Sequence, residues 1–228
     1  MIELWHLEHI DWLKELPAAV VEELTAGAEL TEHDPGAVIF TPRPDPENVF
    51  VLVSGLVRIY RASEQGEEVT FGYIHPGEAF GELAAFSSDP RQSYAAAVEP
   101  STVMRVKRQD FAHAIQAKSS VVFTIARQIG GRFKQIESRV EDLVFKSVRA
   151  RVAHVLAQLV EEFGDGASPP AIRLRLTHAD LATLIGASRP SVSIALGELE
   201  DSGLVGRRQG FFVLNDLAAL RAVAEGTP

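Results

Sequence analysis

Residues 177–203 read THADLATLIGASRPSVSIALGELEDSG, and the fold of the C-terminal part turns on this stretch. Thr177 stands where a helix cap belongs, and Asp180 three residues on is a shorter version of the capping-box acid. Leu181, Ala182 and Ile185 form an apolar face, and Gly186 breaks the helix. Ser188 caps a second helix, whose first turn tolerates Pro190. Val192, Ala195, Leu196 and Leu199 make its buried face, and Gly203 ends it. Two short helices joined by a glycine turn form a helix-turn-helix. Ala182, four residues before Gly186, lets the two helices cross closely.

The other face of the second helix carries the chemistry. Arg189, Pro190, Ser193 and Gly197 point away from the apolar stripe, with Ser191 near its boundary, and none of them is acidic. An arginine in the first turn is placed to reach guanine O6 and N7 in a major groove. Ser188, Ser191, Ser193, Thr177, His178 and the free N–H groups of the helix starts are candidates for phosphate contacts. LVGRRQGFFVL (204–214) reads as a hairpin with Arg207 and Arg208 near its tip, either a basic wing beside the helix or a solvated turn. The partner these residues suit is double-stranded DNA.

Upstream, residues 109–164 contain no proline, and a run of apolar residues falls into a seam. Val122, Ala126, Ile129, Phe133, Ile136, Val140 and Leu143 alternate spacings of four and three, which predicts a helix packed lengthwise on another helix. That neighbour is either the same helix of a second subunit, which the straight seam favours, or the chain's own β domain. Gly130-Gly131 inside the seam costs about 1 kcal/mol of helix propensity per residue, which a hinge or a close approach would explain. GDGASPPA (164–171) has the composition of a linker. Before the seam come short β runs: AVIF (37–40), VFVLV (49–53), LVRIY (56–60), EEVTFGYI (67–74), SYAAAV (93–98) and TVMRV (102–106). Glycine- and proline-containing corners separate them, which predicts an antiparallel barrel or sandwich, read here as a small jelly-roll. The whole is of the α+β class.

Composition bounds the function. The 228 residues hold 46% hydrophobic and 23% charged residues, ordinary values for a packed protein. No run approaches the roughly 18 apolar residues of a membrane helix, and MIELWHLEHIDW lacks the layout of a secretory signal. The cytoplasm is the expected location, with no membrane partner. Zero cysteines exclude a Cys-ligated iron–sulfur cluster, a thiolate zinc site and a cysteine nucleophile. Residues 1–116 hold 8 basic and 19 acidic residues, whereas residues 117–228 hold 14 and 12, so the excess acid lies entirely in the first half. No glycine-rich phosphate loop, HExxH or GxSxG is present, and no enzyme activity is expected. His6 and His9, three apart, could share a metal, but no third ligand accompanies them and no metal is expected.

The order of these parts resembles the Crp/Fnr superfamily of bacterial transcription regulators. Gly36, Gly55, Gly77 and Gly81-Glu82-Leu83 match the glycine and GEL pattern of its cyclic-nucleotide-binding-type β-roll, and GASRPSVSIAL matches its recognition helix. The resemblance implies a β-roll effector domain (1–118), a dimerisation helix (119–146) and a winged helix-turn-helix (147–228), in a homodimer that meets DNA and RNA polymerase. It also implies an effector pocket at Gly81, Glu82, Leu83, Arg91, Gln92, Ser93, Phe133, Ile136 and Glu137. In cyclic-nucleotide-binding members an Arg-Ser pair follows the GEL run. Without gaps these positions fall on Gln92 and Ser93, while a loop one residue shorter brings Arg91 into place. Where cAMP-responsive members offer Thr-Ser to the purine, this chain has Ile136 and Glu137, which speaks against cAMP. SYAAA (93–97) resembles members that sense oxygen or nitric oxide, for which haem is the version open to a chain without cysteine. In the recognition helix Pro190 replaces a common glutamate and Ile194 a common second arginine. The competing reading is a haem- or metabolite-sensing module whose helical C-terminal region docks a protein.

Overall fold

The structure, a computed structural model, describes residues 10–43, 47–87 and 89–226. His6 and His9 lie outside the described residues. The chain folds as two compact units, Met1–Gln135 and Ile136–Pro228.

In the first unit the strands are β1 (Glu29–His33), β2 (Val38–Phe40), β3 (Asn48–Ser54), β4 (Val57–Ala62), β5 (Glu68–Ile74), β6 (Ala79–Phe80), β7 (Tyr94–Ala97) and β8 (Ser101–Lys107). They pair antiparallel in two four-stranded sheets, β1-β8-β3-β6 and β2-β7-β4-β5. This is the expected roll. Between the sheets lie Phe40, Phe50, Leu52, Val57, Ile74, Phe80, Ala95 and Val103. The other side of β3 and β8 presents Val49, Val51, Val53, Met104 and Val106 to Trp12, Leu13, Leu24, Phe111, Ile115, Val121 and Ile125. Those residues come from α1 (Asp11–Lys14), α2 (Ala18–Ala26), α4 (Arg108–Gln116) and the start of α5 (Ser119–Phe145). β3 is therefore covered on both faces, which is why it reads as the unbroken run VFVLV and not as an alternation. A short α3 (Leu83–Phe86) follows β6. β1 and β6 are additions to the sequence reading: β1 is a polar edge strand, ELTEH, and β6 is two residues long.

The proline-free stretch is cut into α4, α5 and α6 (Val148–Phe163). Ser147 caps α6, its Oγ accepting from the Ala150 N–H at 3.2 Å. Along α5, Val122, Ala126, Phe133, Val140 and Leu143 are exposed, Ile136 is half-buried, and Ile129 packs on the core beneath the roll. Most of the seam is thus left uncovered within one chain. A Cβ on Gly130 or Gly131 would meet nothing within 4 Å, so no close approach among the described residues accounts for the pair.

The second unit gathers the end of α5, then α6, α7 (His178–Ile185), α8 (Arg189–Asp201), β9 (Val205–Arg208), β10 (Phe211–Leu214) and α9 (Leu217–Ala224). Leu156 and Leu159 of α6, Leu181 of α7, Val192 and Leu199 of α8, Phe212 and Leu220 form its buried interior. Asp142, in the last turn of α5, binds Lys146 Nζ at 2.8 Å and the Nδ1 of His154 on α6, whose Nε2 meets Gln158 Nε2 at 3.2 Å.

The stretch 164–171 differs from the free linker its composition suggests. Asp165 Oδ1 accepts the N–H groups of Ala167 (3.0 Å) and Ala171 (2.9 Å), which hold this carboxyl below the usual carboxylate range. Gly164 pairs with Ile172, and Ala171 pairs with Val213 of β10. Gly, Pro, Ser and Asp serve a hydrogen-bonded loop as well as a flexible one, because an aspartate can close the turn on its own backbone.

Candidate nucleic-acid interface and β-roll site

Local chemistry sets the helix-turn-helix. Thr177 and Asp180 form a full capping box, with Thr177 N–H donating to Asp180 Oδ2 at 2.8 Å. Gly186 closes α7 in the left-handed conformation (φ 60°, ψ 47°), which favours glycine. A Cβ there would stand 3.2 Å from Leu143 Cδ2, so Leu143, expected in the α5 seam, also packs on this turn. Arg151 Nη1 of α6 donates to the Ile185 carbonyl at 2.9 Å and so holds the end of α7 at the same turn. Ser188 then caps α8, accepting from Ser191 N–H at 3.3 Å and meeting the Ser191 hydroxyl at 2.8 Å.

The first turn of α8 is open. Arg189, its first residue, and Pro190 are exposed, and among the described residues the Arg189 guanidinium has no ion-pair partner. Ser193 is less free. Its Oγ donates to the Arg189 carbonyl at 3.0 Å and lies 2.8 Å from His178 Nδ1, so the consistent tautomer of His178 carries its proton on Nδ1. His178 and Ser193 therefore brace α7 against α8 and offer an outside group only acceptor sites, one lone pair on Ser193 Oγ and one on His178 Nε2. Further along α8 two of the acids are matched: Glu198 lies 3.6 Å from Arg149 and Glu200 3.8 Å from Arg207.

The wing is a two-stranded hairpin, β9 against β10, turning through Gln209 (φ 54°) and Gly210 (φ 86°). Arg207 lies with its guanidinium 3.9 Å over the Phe212 ring, and Arg208 is 3.5 Å from Asp165. Two arginines join them that the sequence reading did not single out. RLRL (173–176) alternates, with Leu174 and Leu176 buried and Arg173 and Arg175 exposed. Arg175 sits 5.0 Å over the Phe211 ring, and Arg173 is 3.8 Å from Asp165. That alternation was the available signal. The result is a basic edge of four arginines in which Asp165 is the shared counter-charge of two.

The β-roll collects only part of its expected set. Glu82 is 4% exposed; its Oε1 accepts from Arg132 Nη2 of α5 at 2.7 Å, while Arg132 Nη1 donates to the Ala79 carbonyl at 2.9 Å. Burial pushes the Glu82 carboxyl up, against the opposing pull of Arg132. Arg91 is 8% exposed and points inward. Its Nη2 donates to the carbonyls of Asn48 (2.7 Å) and Gly81 (3.0 Å), its guanidinium lies 4.2 Å over Phe40, and its buried Nε has no partner among the described residues. Burial first, and Arg43 second, bring its pKa down to about 10. Gly81 sits at φ 68°, in the left-handed region that favours glycine, and a Cβ there would crowd Arg91 Nη2 at 2.8 Å. Gln92, the ungapped arginine position, is exposed, and Ser93 is half-buried. The cause is the backbone pairing of Arg91 with Arg43, which turns residue 91 inward and its neighbour outward. Leu83 and Phe133 are also exposed, and Ile136 and Glu137 belong to the second unit.

Among the described residues no cluster of three or more His, Cys, Asp or Glu could hold a metal, and no helix is long and apolar enough to cross a membrane. Residues 30–118 match the cyclic nucleotide-binding domain family, and residues 150–223 match the Crp-like helix-turn-helix domain. The cyclic AMP receptor protein of Thermus thermophilus is 30% identical over 191 residues, covering 84% of this chain and 86% of that one. The cAMP-activated global transcriptional regulator Vfr of Pseudomonas aeruginosa is 29% identical, over 70% of this chain and 76% of its own. A solved structure of CooA from Carboxydothermus hydrogenoformans superposes with a TM-score of 0.76 at 23% identity, covering 91% of this chain and 90% of that one. Vfr is by its name a transcriptional regulator. With its roll followed by a long helix and a helix-turn-helix, the chain belongs to the Crp/Fnr family of DNA-binding transcription regulators.

Proposed function

We propose that the chain acts in the cytoplasm as a homodimer, each subunit placing α8 in the major groove of one half of a pseudo-palindromic operator. The observation that carries this reading is the unengaged Arg189 at the exposed start of α8, beside a basic edge made of Arg173, Arg175, Arg207 and Arg208. Two such helices enter successive major grooves about 34 Å apart. The uncovered α5 residues Val122, Phe133, Val140 and Leu143 supply an apolar stripe for the second subunit. The first half of the chain, which holds the excess acid, is left to meet RNA polymerase.

The roll, in this proposal, answers to an effector other than cAMP. Arg91, which points into the roll, is already engaged by two carbonyls and a phenylalanine ring. Ile136 and Glu137 offer the purine neither of the hydroxyls that cAMP-responsive members use. Selection of bound duplexes from a random DNA pool, with and without cAMP, tests both statements. The expected result is a two-fold motif with half-sites about 10–10.5 bp apart, recovered equally with and without cAMP. A motif that depends on cAMP overturns the effector reading alone. Recovery of no motif, with binding that does not respond to salt, overturns the DNA-reading function and favours a protein-docking module.

A further inference from the structure

Ile194 stands out on α8. At 67% exposure it is a large apolar residue held in water in the second turn of the helix that carries Arg189. At about 100° per residue, Pro190, Ile194 and Gly197 fall on the side opposite Val192, Ala195, Leu196 and Leu199. Pro190 is exposed one turn before it, and a Cβ on Gly197 one turn after would meet nothing within 4 Å. Among the described residues none covers this stripe. Helix propensity does not account for the residue either, since a β-branched side chain ranks below arginine, lysine or glutamate at an exposed helical site. Nor does it cover the wing, whose aromatic rings Phe211 and Phe212 already lie under Arg175 and Arg207.

A stripe of this kind suits one feature of the major groove. Base edges there present hydrogen-bonding atoms and one apolar group, the C5-methyl of thymine. Ile194 carries no donor or acceptor, so it gains nothing from guanine O6 or cytosine N4 and would leave either unpaired. We propose that Ile194 is a specificity-determining residue that packs on a thymine C5-methyl, with Pro190 lining the same apolar strip, at one thymine per half-site. The assignment rests on the DNA-reading function proposed above. Arg189 then supplies the polar half of the recognition and Ile194 the apolar half.

The test replaces each thymine of the selected duplex by deoxyuridine, which keeps the Watson–Crick edge and O4 and removes only the methyl. The wild-type chain is expected to bind about fourfold more weakly per half-site at one such position, the value of one methyl buried. Ile194→Ala is expected to bind the thymine and deoxyuridine duplexes equally at that position, and Ile194→Arg to enrich guanine in a repeated selection. Ile194 is exposed, so both variants keep the fold, which circular dichroism verifies. If the wild type tells thymine from deoxyuridine nowhere, or if Ile194→Ala still does so at the same position, the proposal is overturned while the DNA-reading function stands. Recovery of no motif from the wild-type selection overturns both.

Discussion

Arg91 and Arg189 are the same side chain in opposite circumstances. Arg91 lies inside the roll, its guanidinium donating to two carbonyls and lying on an aromatic ring, and its pKa is brought down to about 10. Arg189 lies on the outside of α8 with no ion pair among the described residues. A buried cation is tolerated only where the fold satisfies it, so the chemistry of Arg91 is spent on holding β3, β6 and the loop before β7 together. An exposed cation at a helix start holds nothing in place and is free for a phosphate or a base. The difference separates a side chain committed to its own fold from one left open to an outside ligand.

Exchanging each arginine for alanine breaks or upholds that contrast. Arg189→Ala is expected to lose about 1–3 kcal/mol per half-site and to relax preference at one base pair, with unchanged stability. Binding to a panel of single-base operator variants checks this. Equal weakening on every sequence would make Arg189 a phosphate contact. Arg91→Ala is expected to do the reverse. It leaves the half-buried Asn48 and Gly81 carbonyls without this donor, a loss of about 1–3 kcal/mol in urea unfolding, and leaves base preference as it was. A changed base preference in Arg91→Ala would erase the distinction between the two sites.

The same contrast governs what could be read from the sequence. The helix-turn-helix was legible in its caps, its glycine and its buried face, because Thr177–Asp180, Gly186 and Ser188–Ser191 interact within a few residues of one another. The inward turn of Arg91 was not legible, because it depends on pairing with Arg43, 48 positions away, and a shift of one residue exchanges the faces of a strand. β3 could be seen as a strand from its apolar run, whereas β1, polar and at an edge, carries no periodic signal. Asp165 turned a linker-like composition into an ordered loop through two hydrogen bonds that composition does not encode.

Glu82 sharpens the view of the roll as a region of internal commitments. Its carboxyl is raised above the ordinary 4.5, by burial first, with Arg132 opposing. A raised value means that the folded state holds the proton more tightly than the unfolded one. The stability this group contributes is therefore complete below pH 4.5 and is lost as pH rises through the folded value. Glu82→Gln, which carries no such proton, is expected to gain stability relative to wild type across that rise, as urea unfolding at a series of pH values would show. A gap moving the other way would mean that the Arg132 ion pair outweighs burial.

The smallest expected effect lies on the DNA side and separates positioning from reading. Arg175 lies exposed on the Phe211 ring, without the Asp165 counter-charge that Arg173 and Arg208 share. If it meets a phosphate, Arg175→Ala makes the fall of log K with log salt shallower by about 0.9 per half-site and weakens all sequences alike. Arg173→Ala is expected to change the slope less, because its charge is already partly answered within the chain by Asp165. Fluorescence anisotropy of one duplex at several salt concentrations measures both slopes. An unchanged slope in Arg175→Ala would remove Arg175 from the phosphate contacts. The basic edge would then be narrower than its four arginines suggest, and base reading by Arg189 would carry a larger share of the affinity.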